Sequence, residues 1–98
     1  TRQYRDDQPC GDGVVRPCEA VARPDAQMLG AAQERWLLDG MASSGATWQV
    51  LAQQVVLMRR EFPGGTLSMD KWDAYPAART RLLGGIRDRM VTGAVVLS

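Results

Sequence analysis

Two short apolar runs, each preceded by a helical stretch, constrain this chain more than any other feature. Residues 47–58 read TWQVLAQQVVLM and residues 94–97 read AVVL. Runs of that length, rich in β-branched residues and bounded by turn residues, read as buried strands. The first is expected to hold a strand of about eight residues. Before it, from about Gly30 to Ser43, Ala32, Trp36, Leu37 and Met41 recur with Leu29 at three- and four-residue spacing, which predicts a helix with that stripe inward. Gln33, Glu34, Arg35 and Asp39 fall on the other side, and Gly45 suits a left-handed C-terminal cap. Before the second run, Ala78, Leu82, Ile86 and Met90 follow i, i+4 spacing with Leu83 widening the face, so a helix is expected from Pro76 to about Met90. Arg79, Arg81, Arg87 and Arg89 lie off that stripe and are expected in solvent. Residues 59–68 and 1–25, broken by Pro and Gly, read as loops.

The order is loop, helix, strand, loop, helix, strand. Strands separated by helices argue for the α/β class, with parallel pairing through a right-handed crossover. Two strands are too few for such a sheet to stand alone. The chain therefore reads as one incomplete domain over residues 1–98, with 1–25 a loop and 26–98 an αβαβ unit. Gln53-Gln54, at the end of the first run, fits either the carboxyl edge of a parallel sheet, where ligands bind, or plain edge solvation.

Composition excludes several functions. Twelve basic against 11 acidic side chains give a net charge of +1, with no run of five like charges. That leaves no signal for a nucleic-acid arm or a membrane-surface patch. The longest fully apolar runs are four residues, Val55 to Met58 and Ala94 to Leu97, far from the roughly 20 of a membrane-spanning helix. The opening TRQYRDDQ has no signal-peptide core and no initiator Met, so an interior piece of a longer protein is expected. There is no histidine. Ser-His and Cys-His nucleophile activation are thereby excluded within this chain.

Cys10 and Cys18 lie in PCGDGVVRPC, a spacing that matches neither a CxxC redox pair nor a zinc knuckle. The readings are a local disulfide clamping a loop, two free thiols, or a metal pair, with the disulfide leading. A disulfide implies export. Arg2 and Arg5 border the expected sheet edge. Arg5 above all is a candidate to hold an anionic group bidentately, against a loop-packing role beside Asp6 or Asp7. Trp36 and Trp48 read as packing residues.

The block SMDKWDAYPAAR, residues 68–79, crowds Asp70, Trp72, Asp73, Tyr75 and Arg79 together. On one reading Asp73 caps the following helix, Pro76 occupies its first turn, Asp70 complements its dipole, and Trp72 and Tyr75 pin the loop. On the other, Asp70 and Trp72 form the lip of a substrate pocket.

Five blocks, TRQYRDDQPCGDG, MLGAAQERWLLDGM, TWQVLAQQVVLM, MDKWDAYPAARTRLL and AVVLS, resemble in order and spacing the PhoD-like phosphatase/phosphodiesterases, the alkaline phosphatase D family. The resemblance covers essentially the whole chain, and WDAYPAAR and LGAAQERWL are its most specific parts. It implies part of a metallophosphatase sandwich, hydrolysis of phosphate mono- and diesters, iron with calcium as cofactors, and a protein secreted by the twin-arginine route to the periplasm or cell wall. Family members carry an Asp before the TRQYR block and a GD-x-H-type motif after the AVVLS strand. The family's metal ligands thus fall outside both ends, and no metal-ligand position carries over. Cys10 and Cys18 do not match the family's metal-binding cysteine. The expectation is a scaffold segment, inactive alone, with Arg5, Asp70 and Trp72 as candidate substrate contacts. The alternative is a non-enzymatic small α/β interaction module.

Overall fold

The computed structural model describes Thr1–Ser98. Strand β1 (Val14–Val15) pairs antiparallel with β3 (Leu67–Ser68), while β2 (Gln49–Ala52) pairs parallel with β4 (Ala94–Leu97). Helices α1 (Ala31–Ser43) and α2 (Pro76–Asp88) precede β2 and β4, and 3-10 turns occupy Glu19–Ala22, Pro63–Gly65 and Trp72–Ala74. The α/β class and the parallel β2–β4 pair, in register from Gln49 with Ala94 to Ala52 with Leu97, agree with the sequence reading.

Several expectations need correction. The strand within 47–58 has four residues rather than eight. Its ladder closes where the Gln53 N–H donates to the Leu97 carbonyl, 3.0 Å, and the backbone then leaves the sheet so that Val55 and Leu57 can each reach the core. The two stretches that read as loops are mostly so, but 1–25 contributes β1 and 59–68 contributes its partner β3, a pair secured by the Met69 N–H donating to the Gly13 carbonyl.

The inward face of α1 is rotated from the expected stripe. Met41 is buried and Leu29 and Leu37 pack against the core, as expected, but Leu38 is buried as well, whereas Ala32 is exposed and Trp36 is 73% exposed. The cause is the partner helix. Leu38 lies against Gly85 of α2, where an added Cβ would fall 2.6 Å from Leu38 Cδ1, so the absent side chain sets the line of closest approach. Glu34 with Arg81 and Asp39 with Arg89 pair across the same helix contact. Trp48, likewise expected to pack, is 68% exposed. Helix α1 ends at an extended Ser44, and Gly45 does not take the left-handed cap role.

On α2, Ala78 and Leu82 are buried and Ile86 packs against the core, but Leu83 is exposed. The helix stops at Asp88, which leaves Met90 84% exposed. Arg87 is in solvent, whereas Arg79 and Arg81 are not. Arg81 donates to the carbonyls of Pro24 and Ala26, tying the N-terminal loop to α2.

Only 15 of 98 residues are buried, and the most enclosed large ones are Trp72, Tyr75, Met28, Met69 and Leu82. The core therefore centres on the SMDKWDAYP block rather than on the two-stranded sheet, whose Val50, Val95 and Leu97 stay exposed. The radius of gyration, 14.0 Å, exceeds the roughly 12.6 Å of a compact domain of this length.

Candidate functional site

Polar groups gather at the carboxyl end of β2. Gln53 Oε1 accepts the Trp72 indole N–H at 2.6 Å. An indole nitrogen only donates, so this bond fixes which end of the amide is oxygen. The other end, Nε2, is buried and has no partner. Trp72 itself is 2% exposed, held in the 3-10 turn that leads into α2.

Asp70, two residues earlier, takes both N-terminal arginines. Arg2 Nη1 donates to Oδ1 and Oδ2 at 2.7 Å, and Arg5 Nη1 donates to Oδ1 and to the Asp70 carbonyl. This corrects the pairing of those arginines with Asp6 or Asp7, and it replaces the dipole role considered for Asp70. The Arg5 hydrogen bond holds the Asp70 carboxyl below the usual carboxylate range, partial burial opposes it, and Arg2 adds to it. Two cations thus meet one carboxylate at Asp70, with Asp6 and Asp7 close by on the Tyr75 side.

Asp73 is not a cap. Its Oδ2 accepts the Arg60 N–H at 2.9 Å and its Oδ1 accepts Arg79 Nη1 at 2.8 Å, while Arg79 also donates to the Leu57 carbonyl. Helix α2 starts after Tyr75 without a side-chain cap bond, with Pro76 in its first turn. The carboxylate is drawn away because a buried anion needs a cation as well as an N–H. Tyr75 is buried and donates its O–H to the Asp6 carbonyl at 2.8 Å, and burial pushes its pKa up. The Asp6 carboxylate accepts the Gln27 N–H.

A cavity of about 450 Å³ opens between β2 and α1. Leu29, Leu37, Leu51 and Trp36 form an apolar wall, and Arg2, Gln53 and Gln54 supply the polar side. Of the residues singled out from sequence, Arg2, Trp36, Gln53, Gln54 and Trp72 line this cavity. Arg5 and Asp70 do not line it; Asp70 holds Arg2 from behind, with Arg5 on the same carboxylate. Cys10 and Cys18 are joined by a disulfide that encloses β1, away from the cavity. No three His, Cys, Asp or Glu side chains are grouped so as to hold a metal, and Asp70 and Asp73 are both taken by arginines. The donors present do not fit an iron or calcium site. What the arrangement offers is hydrogen-bond donors, a positive charge and an apolar wall, suited to binding an oxygen-rich anion with an organic group.

Sequence reasoning missed the Asp73–Arg79 pair and the Arg2–Asp70 link, separated by 68 positions. The one local signal for the site was the Gln53-Gln54 pair ending an apolar run.

The profile of the family described as "PhoD-like phosphatase" matches residues 1–98. The chain belongs to the PhoD-like phosphatase family. It is 42% identical over 101 residues to alkaline phosphatase D of Bacillus subtilis (strain 168), covering all of this chain and 17% of that protein. A solved structure described as "Structure of PhoD" superposes on 98% of the chain with a TM-score of 0.85 at 40% identity, covering 19% of its own length. The PhoD-like chain thus spans under a fifth of the relatives it matches. The mixed helix-and-strand arrangement around SMDKWDAYP is that of a PhoD segment.

Proposed function

We propose that this chain is a scaffold segment of a metal-dependent phosphoesterase that hydrolyses phosphate monoesters and diesters. The observation that carries the reading is the unbroken similarity along all 98 residues to alkaline phosphatase D, 42% identical. Iron with calcium is held by residues elsewhere in the polypeptide, because this chain groups no three carboxylate, Cys or His ligands and its Asp70 and Asp73 are held by arginines. No reaction step is assigned to this chain's residues. Their part is to build the floor beside the carboxyl end of β2, with Asp70 fixing Arg2 and Arg5, and Gln53 fixing Trp72. The Cys10–Cys18 disulfide supports an exported protein, since such bonds persist in oxidising compartments.

The test compares the full-length protein with the 98-residue segment. The full-length enzyme is expected to turn over p-nitrophenyl phosphate and bis-p-nitrophenyl phosphate and to lose both activities on chelation. The segment is expected to do neither. Chelator-resistant turnover refutes metal dependence, and metal-dependent turnover by the segment refutes the division of labour.

A further inference from the structure

The geometry points to the cavity beside Gln53 as a subsite for the phosphoester substrate. Arg2 and Gln53 Nε2 hold a phosphate oxygen, and the wall of Trp36, Leu37 and Leu51 takes the ester's organic group. The inference rests on the phosphatase reading above.

Four observations converge. The Trp72 indole locks the Gln53 amide with its oxygen spent and its NH2 group facing no acceptor. A buried donor without a partner costs about 1–3 kcal/mol, so an orphan of this kind in a native structure calls for an oxygen to meet it. Arg2 spends Nη1 on Asp70 and reaches Gln54 through Nε at 3.4 Å, while Nη2 makes no hydrogen bond. With Arg5 on the same carboxylate, Asp70 is shared between two guanidinium groups, which leaves Arg2 charge to spare for an anion. The cavity, about 450 Å³, is within the range of small-ligand pockets. It is lined by Leu51 and Ala52 of β2 and by Gln53 and Gln54 just beyond, so it reaches the carboxyl end of a parallel strand, where α/β sheets place their ligands. A bare phosphate would leave the apolar wall unused, and a neutral apolar molecule would leave Arg2 Nη2 and Gln53 Nε2 unmet. An ester with one anionic end and one organic end meets both.

Gln53→Glu in the full-length enzyme separates binding from structure. It keeps the acceptor for Trp72 and replaces the free donor by an anionic oxygen. The expected result is a rise of about tenfold or more in both the KM for p-nitrophenyl phosphate and the Ki for inorganic phosphate, the size of losing a hydrogen bond to a charged group. The kcat is expected to change little, while Tm falls because the new carboxylate oxygen is buried. Trp36→Ala, at an exposed position, is expected to raise the KM for the aryl ester while leaving the phosphate Ki unchanged. Unaltered KM and Ki in a folded Gln53→Glu enzyme overturn the subsite and mean that another segment of the polypeptide meets the Gln53 donor. If Gln53→Glu fails to fold, an unaltered KM in Trp36→Ala overturns it instead. A wild-type enzyme that leaves p-nitrophenyl phosphate intact overturns the phosphatase reading and this inference together. Unaltered variants of an active wild type sink the subsite alone.

Discussion

Removing the Asp73 carboxylate is expected to destabilise the fold without touching catalysis. Asp73 is 4% exposed and meets two donors, the Arg60 N–H at 2.9 Å and Arg79 Nη1 at 2.8 Å. Asp73→Ala strands both. The orphaned N–H costs about 1–3 kcal/mol. Breaking a fully buried ion pair costs about 3–5 kcal/mol. That second figure is discounted, because Arg79 keeps its bond to the Leu57 carbonyl and its side chain is 16% exposed. A total of about 3 kcal/mol follows, which lowers Tm by roughly 3–6 °C in a chain several hundred residues long, by extrapolating the usual size dependence. The assay is a thermal scan of full-length Asp73→Ala, Arg79→Met and the double variant, with kcat/KM measured well below Tm. The double variant is expected to lose less than the sum of the singles, because it removes the stranded guanidinium as well as the carboxylate. A Tm within about 1 °C of wild type, or a collapse of kcat/KM at unchanged Tm, refutes the reasoning; the second outcome would put Asp73 in contact with substrate.

Gly93, at φ +66, precedes β4, and an added Cβ would fall 2.0 Å from the Thr47 carbonyl oxygen. Gly93→Ala is therefore expected to cost about 3 kcal/mol or more and to cut soluble yield, whereas Gly40→Ala, with nothing within 4 Å, is a tolerated control. Reducing the Cys10–Cys18 bond, or replacing both cysteines by Ala, is expected to cost about 2–3 kcal/mol by freeing a short loop, read as a lower Tm in reductant. The raised pKa of Tyr75 makes its contribution full below about pH 10 and progressively lost above, as ionisation removes the proton it donates to Asp6; an alkaline Tm profile that is flattened by Tyr75→Phe checks this. The depressed pKa of Asp70 acts in the other direction. Its contribution is full above about pH 4 and lost as pH falls further, so acid should first release the Arg2 and Arg5 contacts, seen as faster proteolysis of the N-terminal loop.

The sequence by itself determined the α/β class, the succession α1, β2, α2, β4 and the parallel pairing of the two apolar runs, because hydrophobic period and crossover handedness are local or near-local rules; it did not show the short antiparallel β1–β3 pair inside the two stretches that read as loops. It also carried the family, through five blocks in order. It did not determine which face of each helix turns inward. Trp36 sits on a well-spaced apolar stripe, yet a glycine on the partner helix draws Leu38 inward instead, and only the packed pair of helices shows that. Nor did it decide the fate of its charges. Asp73 stands where a helix cap belongs, but burial demands a cation, and Arg79, six positions on, supplies one from the first turns of α2. Asp70 is claimed by arginines 65 and 68 positions away. Such pairings depend on desolvation and distance in three dimensions, quantities that spacing along the chain does not carry. The site beside Gln53 exists for the same reason: a glutamine at a strand end becomes an oriented, unpaired donor only once Trp72 is buried against it.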